Sequence, residues 1–552
     1  MRGSAWGTIV GLLALAQMAH AGPGMRFAPY VPLTAEDLYA SELRFRAGLP
    51  LVTLGLEEGR PTLELASDAP MRLMFEEAGL PKTVFVDGGG LELSLERAAA
   101  GRRSWWVRVA EAPSLAAAQA EARAWSKRPW PVRLERVGGI MGVQGVLLDT
   151  RAHEVLVGGL FDEESAEALA LRIYRAHGVR ATVRPVLEQR GRGRIQIRRA
   201  GSGALVGVAQ DVLQVDAPEG EHMSLGEREL HGHVYAAVDL DGTLSLSISV
   251  DVETLLRGLV PAEIYASSPP AALDAQAIVA RGAVLSMLAH RHFDAPFHLC
   301  DEQHCQVYQG AHATHPATDA AVARTVGQVA IRPPQPGAPI HLVDSVYSAS
   351  CGGHTEANDV AWDQPASPSL RPRLDGPASD PALAPFAQGL NEKNIRAWVE
   401  LSSPPSYCAR ASLARPDRVR WTKHLDRSEL DVIGVQLGVG ALTEIEVLGR
   451  GSGGRVTGVE VRGTEGTKRV LREYPVRKLF SNLRSGAFVL DVTRDAAGGI
   501  EALDFTGAGW GHGVGMCQLG AIGRAEAGHS AAQILSHYYS GATLVRLYGA
   551  LR

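Results

Sequence analysis

One short run of the chain places a glutamate just after a proline, in Leu259-Val260-Pro261-Ala262-Glu263-Ile264. A carboxyl group that is partly buried can donate a proton and then accept one, because burial disfavours its charged form and raises its pKa. Most glutamates are solvated surface charges. Composition alone therefore makes Glu263 an ordinary acid, and other parts of the sequence must support a catalytic role.

Two stretches that contain glycine carry polar side chains suited to lining a cleft. Residues 347–356 read Tyr-Ser-Ala-Ser-Cys-Gly-Gly-His-Thr-Glu, and residues 511–518 read Gly-His-Gly-Val-Gly-Met-Cys-Gln. Glycine lets the backbone approach another strand or a ligand closely. Neither a P-loop lysine nor a dinucleotide fingerprint follows, so the sequence does not favour a phosphate-cradling loop.

The residues around Glu263 predict a strand before it, at residues 244–250, and an alanine-rich helix after it, at residues 271–290. Ser268 can cap this helix, and the two prolines that follow suit its first turn. Gln276 and Arg281 interrupt its small, apolar surface. If these two side chains are buried they need hydrogen-bonding partners, which could be a substrate or the glutamate loop itself.

All five cysteines fall after residue 299. In an exported protein this favours disulfides, with one thiol left over. Cys300 and Cys305 enclose His304, and His298 lies just before them, a set of soft ligands that also suits zinc. Disulfide and zinc remain alternatives, and in either case we expect a structural role.

From about residue 194 to the C-terminus the chain resembles the SpoIID/LytB family of peptidoglycan lytic transglycosylases. The matching segments occur in the family's order at residues 259–263, 275–281, 300–308, 350–356 and 511–521. Ile264 departs from the pattern where methionine is common, and Gly282-Ala283 departs where a bulkier pair is usual. We expect these departures to alter packing and to leave the acid in place.

The resemblance implies cleavage of the β-1,4 bond between N-acetylmuramic acid and N-acetylglucosamine, with formation of a 1,6-anhydro end. Glu263 would serve both as acid and as base, and no cofactor is required. The implied substrate-binding residues are Gln276, Arg281, Tyr347, His354, Thr355 and His512. Some relatives hold zinc at the loop that corresponds to Cys300, His304 and Cys305, so a structural zinc ion is one expectation for that loop.

The remainder of the chain predicts export and a binding module. Residues 1–21 have the three parts of a signal peptide, ending in Ala19-His20-Ala21. Residues 22–103 are expected to form a strand-rich region, because residues 50–95 alternate apolar and polar positions as short strands do. Residues 104–187 predict a doubled strand–helix–strand unit, and they resemble the SPOR domain, a ferredoxin-like module that binds peptide-free peptidoglycan glycan. Trp105 and Trp106 could stack on sugars there or belong to its core.

Length and composition complete the interpretation. A chain of 552 residues with 45% hydrophobic and 21% charged residues predicts several folded units of an α+β class, rich in strands. A net charge of −5 gives no basic footprint for nucleic acid. We therefore expect a periplasmic or extracellular protein with no membrane span after signal cleavage, whose partner is peptidoglycan glycan, peptide-free glycan included. A non-catalytic amidase activator or wall scaffold, and a hydrolase that uses water, are the alternatives.

Overall fold

The computed structural model describes residues 26–27, 33–39, 44–143, 146–179, 181–288, 290–302, 305, 308, 310, 314–332, 340–362, 364–496 and 498–549. The predicted signal peptide, residues 1–21, lies outside the described residues. The chain divides into two compact units. The first comprises Met1–Gly139, Arg151–Ala262 and Met287–Thr314, and the second comprises Ile140–Thr150, Glu263–Ser286 and His315–Arg552.

The helices alternate with many short strands, which confirms the predicted α+β class. Across the described ranges, none of the helices has the length and apolar character needed to cross a membrane. The helices are Ala35–Tyr39, Leu115–Trp125, Glu163–His177, Val252–Glu263, Pro270–Met287, Pro316–Arg324, Asn358–Ala361, Ile395–Glu400, Tyr407–Arg410, Pro416–Val419, Arg427–Leu437, Glu473–Leu479, Gln518–Glu526 and Ala531–Tyr538, with a 3-10 helix at Pro381–Phe386.

Two large sheets of the first unit combine strands from distant parts of the sequence. The first sheet has the order Arg44–Arg46, Leu49–Arg60, Leu244–Asp251, His233–Val238, Val212–Asp216, Met71–Glu77, Leu80–Val86, and Leu299–Cys300 pairs in parallel with its second strand. The second has the order Leu205–Gln210, Arg192–Arg199, Gly89–Ala99, Thr62–Ser67, Met223–Leu225, Arg228–Leu230. Strands before residue 103 and strands after residue 190 thus share both sheets, although the sequence placed them in separate regions.

A smaller antiparallel sheet lies between these strands in the sequence. Its strand order is Thr182–Gln189, Arg102–Ala112, Ala152–Leu160, Val132–Val137, and the helices Leu115–Trp125 and Glu163–His177 join its strands. The predicted pair of strand–helix–strand units is therefore present. Trp106 is 9% exposed and packs with Leu156 and Val186, so it belongs to the interior. Trp105 is half-buried, with the Arg103 guanidinium 5.0 Å from its ring centre.

The second unit contains several small sheets. They are Ile140–Val143 with Val146–Asp149, Gln328–Ile331 with Thr543–Arg546, Tyr347–Ser348 with Met516–Cys517, Arg420–Leu425 with Ile500–Ala508 and Phe488–Arg494, and Leu442–Arg450 with Val456–Gly463 and Gly466–Leu471. One of its apolar clusters packs aromatic and branched side chains between the last two of these sheets and their helices, with Trp421, Phe480, Phe488 and Phe505 at most 5% exposed.

The segment before Glu263 differs from the prediction, because a helix, Val252–Glu263, follows directly on the strand Leu244–Asp251. Asp251 starts this helix: its side chain accepts hydrogen bonds from the backbone N–H of Thr254 at 2.9 Å and from the Thr254 hydroxyl at 2.8 Å. Pro261 stands in the last turn, so the one hydrogen bond that its missing N–H removes lies at the end of the helix. Glu263 therefore ends a helix and does not lie in a loop.

The alanine-rich helix is present at Pro270–Met287, close to the predicted bounds. Its expected cap is absent: within the described part of the chain, the buried Ser268 hydroxyl has no hydrogen-bond partner. The turn is held instead by backbone bonds from Ala272 and Leu273 to the Pro269 carbonyl.

Candidate functional site

Glu263 is half-buried at the C-terminal end of its helix, where the chain enters the second unit. The end of a helix carries a partial negative charge, so a second negative charge is disfavoured there. The Glu263 backbone carbonyl accepts a hydrogen bond from Gln518 Nε2 at 2.7 Å. The residue is thus fixed by a side chain 255 positions away in the sequence.

Two glutamines meet beside Glu263. Gln518 Nε2 also donates to Gln276 Oε1 at 3.2 Å, and Gln276 is fully buried on the alanine-rich helix. The Gln276 side chain also hydrogen-bonds Tyr347, so it lies between two neighbours of Glu263. Its predicted role in substrate binding stays a prediction.

Tyr347 is the third neighbour of Glu263. Burial, together with the charge and the hydrogen bond of the Glu263 carboxylate, raises the pKa of Tyr347 well above its ordinary value. The hydroxyl therefore stays protonated and can donate to the carboxylate. Tyr347 lies on the strand Tyr347–Ser348, which pairs in parallel with Met516–Cys517, the residues just before Gln518. One short ladder thus brings two neighbours of Glu263 into place.

His512 supports this ladder. Its Nδ1 accepts the backbone N–H of Val514 at 3.1 Å, its ring also hydrogen-bonds the backbone of Tyr347, and the Trp362 ring centre lies 4.7 Å away. Burial, with the nearby Arg455 charge, lowers the pKa of His512 to about 3. The ring is neutral and fully engaged, which favours a supporting role over a chemical one.

His354 and Thr355 lie at a different cavity of the second unit. His354 Nδ1 contacts the Thr355 carbonyl at 2.9 Å, and the Thr355 hydroxyl accepts the backbone N–H of Arg373 at 2.7 Å. Burial lowers the pKa of His354 to about 4. The ring borders a cavity of about 390 Å³ together with Ser452 and His537. The structure therefore does not group these two predicted residues with Glu263 through their described contacts.

Arg281 is fully buried on the alanine-rich helix, and its Nη1 donates to the Gln328 carbonyl at 3.0 Å. This bond holds the strand Gln328–Ile331, so a structural role is supported. A side chain at Gly282 would come within 2.5 Å of the Ser345 hydroxyl. Gly282, one of the two residues that depart from the family pattern, therefore leaves room for the Ser345 side chain.

Gly513, in the middle of the 511–515 stretch, permits close packing on a buried arginine. A Cβ at Gly513 would lie 2.0 Å from the Arg455 guanidinium carbon. Arg455 is fully buried and donates to the carbonyls of Cys351 at 3.3 Å, His354 at 3.3 Å and Gly453 at 3.4 Å. Sequence reasoning missed Arg455, because no local pattern distinguishes it from the other arginines of the chain.

The cysteine loop of the first unit brings three soft ligand atoms together. Atoms of His292, Cys300 and Cys305 lie within 4.8 Å of one another, and His292 Nε2 is 3.2 Å from Cys305 Sγ. These nitrogen and sulfur donors fit zinc. The predicted His304 lies outside the described residues. His298 turns away, since its Nδ1 accepts the backbone N–H of Thr53 at 3.1 Å.

Cys351, Cys408 and Cys517 are free thiols in the structure and form none of the disulfides that the export signal favoured. The sequence had assigned these three cysteines to no site other than the disulfides.

Comparison with known proteins adds independent evidence. Residues 241–331 match the family described as SpoIID, Stage II sporulation protein, and residues 356–515 match a domain of unknown function, DUF8618. The first match contains Glu263, Gln276 and Arg281, and the second contains Arg455 and His512.

Three curated relatives align over half of the chain or more. An uncharacterized protein of Brachyspira hyodysenteriae is 24% identical over 62% of this chain and 78% of its own length. The amidase enhancer of Bacillus subtilis is 28% identical over 52% of this chain, which spans 40% of that relative. Stage II sporulation protein D of Bacillus amyloliquefaciens is 26% identical over 53% of this chain and 74% of its own.

A crystal structure of a candidate exported protein from Burkholderia pseudomallei overlaps 30% of this chain and 25% of that one, at 18% identity and a TM-score of 0.16. A likeness this low carries no argument about fold. The domain match and the named relatives agree with the ordered segments around Glu263: residues 241–331 carry a SpoIID domain, and the chain is similar to proteins of that family.

Proposed function

We propose that this protein is a peptidoglycan lytic transglycosylase that cuts the bond between N-acetylmuramic acid and N-acetylglucosamine, with Glu263 as its acid and base. The observation that carries the proposal is the surroundings of Glu263. The residue ends a helix, Tyr347 hydrogen-bonds its carboxylate, and Gln518 holds its backbone. The position disfavours a second negative charge and fixes the carboxyl group for proton transfer.

The proposed reaction needs one carboxyl group. Protonated Glu263 donates its proton to the glycosidic oxygen as the bond to the muramic C1 breaks. The resulting carboxylate then accepts the proton of the muramic 6-hydroxyl, whose oxygen bonds to C1 and closes the 1,6-anhydro ring. Water is not consumed. Tyr347 stays protonated, so its hydroxyl donates a hydrogen bond to the Glu263 carboxylate and stabilises that form between the two proton transfers.

A surface two residues beyond Glu263 suits a sugar chain. Tyr265 is 40% exposed, and the Arg418 guanidinium lies 5.7 Å from its ring centre and 5.2 Å from that of Trp510. Aromatic rings pack against the apolar faces of sugars. An arginine between them could bind the lactyl carboxylate of muramic acid. That carboxylate is free only where the stem peptide has been removed, so this arrangement favours peptide-free glycan.

The small sheet of the first unit is proposed as a second glycan contact. Its strands lie in the order fourth, first, third, second, which is the ferredoxin-like order expected for a SPOR-like module. With the predicted signal peptide, this module would locate the protein at peptidoglycan in the periplasm or outside the cell.

A second function, activation of a separate amidase without glycan cleavage, is supported by one observation. The Bacillus subtilis relative named amidase enhancer is 28% identical over 52% of this chain. In that case the fold would bind glycan or the amidase, and Glu263 would not react.

Digestion of purified peptidoglycan, followed by mass spectrometry of the soluble fragments, tests the proposal. Wild-type protein should release fragments with 1,6-anhydromuramic ends, and Glu263→Gln should release none. Glu501→Gln, at an exposed position of the second unit, is the matched control and should retain activity. Reducing ends without anhydro ends would instead indicate a hydrolase.

The activator function makes a different prediction for the same experiment. Neither the wild type nor Glu263→Gln would release glycan fragments, and both would raise the rate at which an added amidase frees stem peptides. Either that result or equal glycan cleavage by wild type and Glu263→Gln would overturn the proposed mechanism.

A further inference from the structure

Three cysteines and one aspartate of the second unit converge in its interior. Cys351 is 2% exposed, Cys517 1%, and Cys408 and Asp375 are fully buried. One ligand atom from each lies within 4.8 Å of the others. The four residues come from four separate segments of the chain, and this cluster is distinct from the His292, Cys300 and Cys305 loop of the first unit.

The distances within the cluster match those around a tetrahedral zinc ion. With Zn–S near 2.3 Å and Zn–O near 2.0 Å, tetrahedral geometry separates two sulfurs by about 3.8 Å and a sulfur from an oxygen by about 3.5 Å. The Cys351 and Cys408 sulfurs are 3.9 Å apart, and the Cys351 sulfur lies 3.5 Å from Asp375 Oδ2. A disulfide would require about 2.05 Å.

The sulfurs are surrounded by donors that stabilise thiolates. The backbone N–H groups of Cys351 and Gly520 donate to Cys517 Sγ at 3.1 and 3.2 Å, so this sulfur caps the helix Gln518–Glu526. The backbone N–H of Gly353 donates to Cys351 Sγ at 3.3 Å. A helix N-terminus and N–H donors both favour a negatively charged sulfur.

Asp375 is oriented as a metal ligand would be. Its Oδ1 accepts from Arg524 Nε at 3.0 Å and from the Tyr538 hydroxyl at 3.0 Å, while Oδ2 faces Cys351 Sγ. Outer hydrogen bonds of this kind fix which oxygen of a carboxylate is available to a metal. A Cβ at Gly520 would lie 2.2 Å from Oδ2, so only glycine leaves this oxygen its place.

We propose that Cys351, Asp375, Cys408 and Cys517 bind one Zn²⁺ ion in a closed structural site. Four protein ligands leave no open position, so the ion stabilises the fold and takes no part in a reaction. Its place in the fold has a consequence for Glu263. Cys351 follows Tyr347–Ser348 and Cys517 precedes Gln518, so the ion ties together the two strands that carry neighbours of Glu263. The proposal does not depend on glycan cleavage.

The test uses the full chain in which Cys300→Ser and Cys305→Ser remove the other cluster's thiolates. This background variant, incubated with Zn²⁺ and desalted, should retain about one zinc ion per chain by mass spectrometry of metals. With Co²⁺ in place of Zn²⁺ it should show the strong absorption of cobalt bound to thiolates, and chelator should lower its melting temperature. Adding Cys408→Ser should abolish the bound zinc and the thiolate absorption.

The outcome does not rest on a variant that could fail to fold, because the cobalt spectrum is measured on the background variant with all four ligands present. Two results would overturn the proposal. One is a folded background variant that retains no zinc and gives no cobalt–thiolate absorption. The other is a disulfide between any two of Cys351, Cys408 and Cys517, mapped in unreduced peptides of the wild type.

Discussion

Replacing Gly513 with alanine should destabilise the second unit far more than the same change at an equally unusual glycine. Gly513 has a φ of +72°, and its Cβ would overlap the guanidinium of the fully buried Arg455. Gly528 has a φ of +88° and, within the described structure, nothing within 4 Å of its Cβ. Both lie in the second unit, so Gly528→Ala is a matched control.

The difference between the two variants isolates the packing against Arg455. A left-handed backbone costs an alanine about 1–2 kcal/mol, which both variants lose. In Gly513→Ala the guanidinium must also move from its place between the carbonyls of Cys351, His354 and Gly453. Breaking the contacts of a buried charge costs about 3–5 kcal/mol. We therefore expect a loss of about 4–7 kcal/mol for Gly513→Ala and about 1–2 kcal/mol for Gly528→Ala.

Hydrogen exchange measured by mass spectrometry gives the free energy of opening for peptides of each unit separately, so it does not require the whole chain to unfold in one step. Peptides around Arg455 should lose protection strongly in Gly513→Ala and weakly in Gly528→Ala. Equal losses in the two variants would refute the reasoning, because they would mean that Arg455 moves aside at no cost.

Three further predictions follow from the site. Tyr347→Phe should slow glycan cleavage about 10- to 100-fold, because a hydrogen bond to a charged group contributes about 1.5–3 kcal/mol. Tyr474 is exposed, and Tyr474→Phe should have no effect in the same digestion assay. Burial lowers the pKa of His354 to about 4 in the folded protein, so its contribution to stability is present above pH 6.5 and is lost as pH falls towards 4. Between pH 7 and pH 4 the free energy of unfolding, measured with urea, should fall by about 3 kcal/mol more in the wild type than in His354→Gln. Equal losses in the two proteins would contradict this. Arg281→Met should lower the free energy of unfolding by about 1–3 kcal/mol, because the Gln328 carbonyl loses its donor. The folded variant should still form anhydro products. Loss of those products without loss of stability would instead assign Arg281 to substrate binding.

Elements set by local signals were predictable from the sequence. The helix Glu163–His177 of the predicted strand–helix–strand pair follows such signals, because Asp162 caps its start by accepting the Ser165 N–H and Gly178 ends it with a φ of +66°. The helix Val252–Glu263 was missed, although its local signal is present in Asp251 and Thr254. The residues around Glu263 were expected to form a loop, but a proline in the final turn removes only one hydrogen bond and does not prevent a helix.

The sequence also identified Glu263 as a candidate acid, through the order of the segments that resemble the family. Only some of the residues that contact Glu263 could be predicted in this way. Gln276 and Tyr347 were named as binding residues, whereas the bond from Gln518 to the Glu263 backbone joins positions 255 residues apart. No local sequence pattern predicts a hydrogen bond between residues so far apart in the chain.

The cysteines show the same division most clearly. The sequence established how many there are and that sulfur chemistry belongs to the later part of the chain, and it favoured disulfides or a zinc loop at Cys300 and Cys305. Tertiary structure decided that Cys351, Cys408 and Cys517 meet beside Asp375, across separations of 24, 57 and 166 residues between contacting pairs. The physical reason is that caps and turns depend on neighbouring residues, whereas the position of a buried sulfur depends on how sheets and helices from the whole unit pack together.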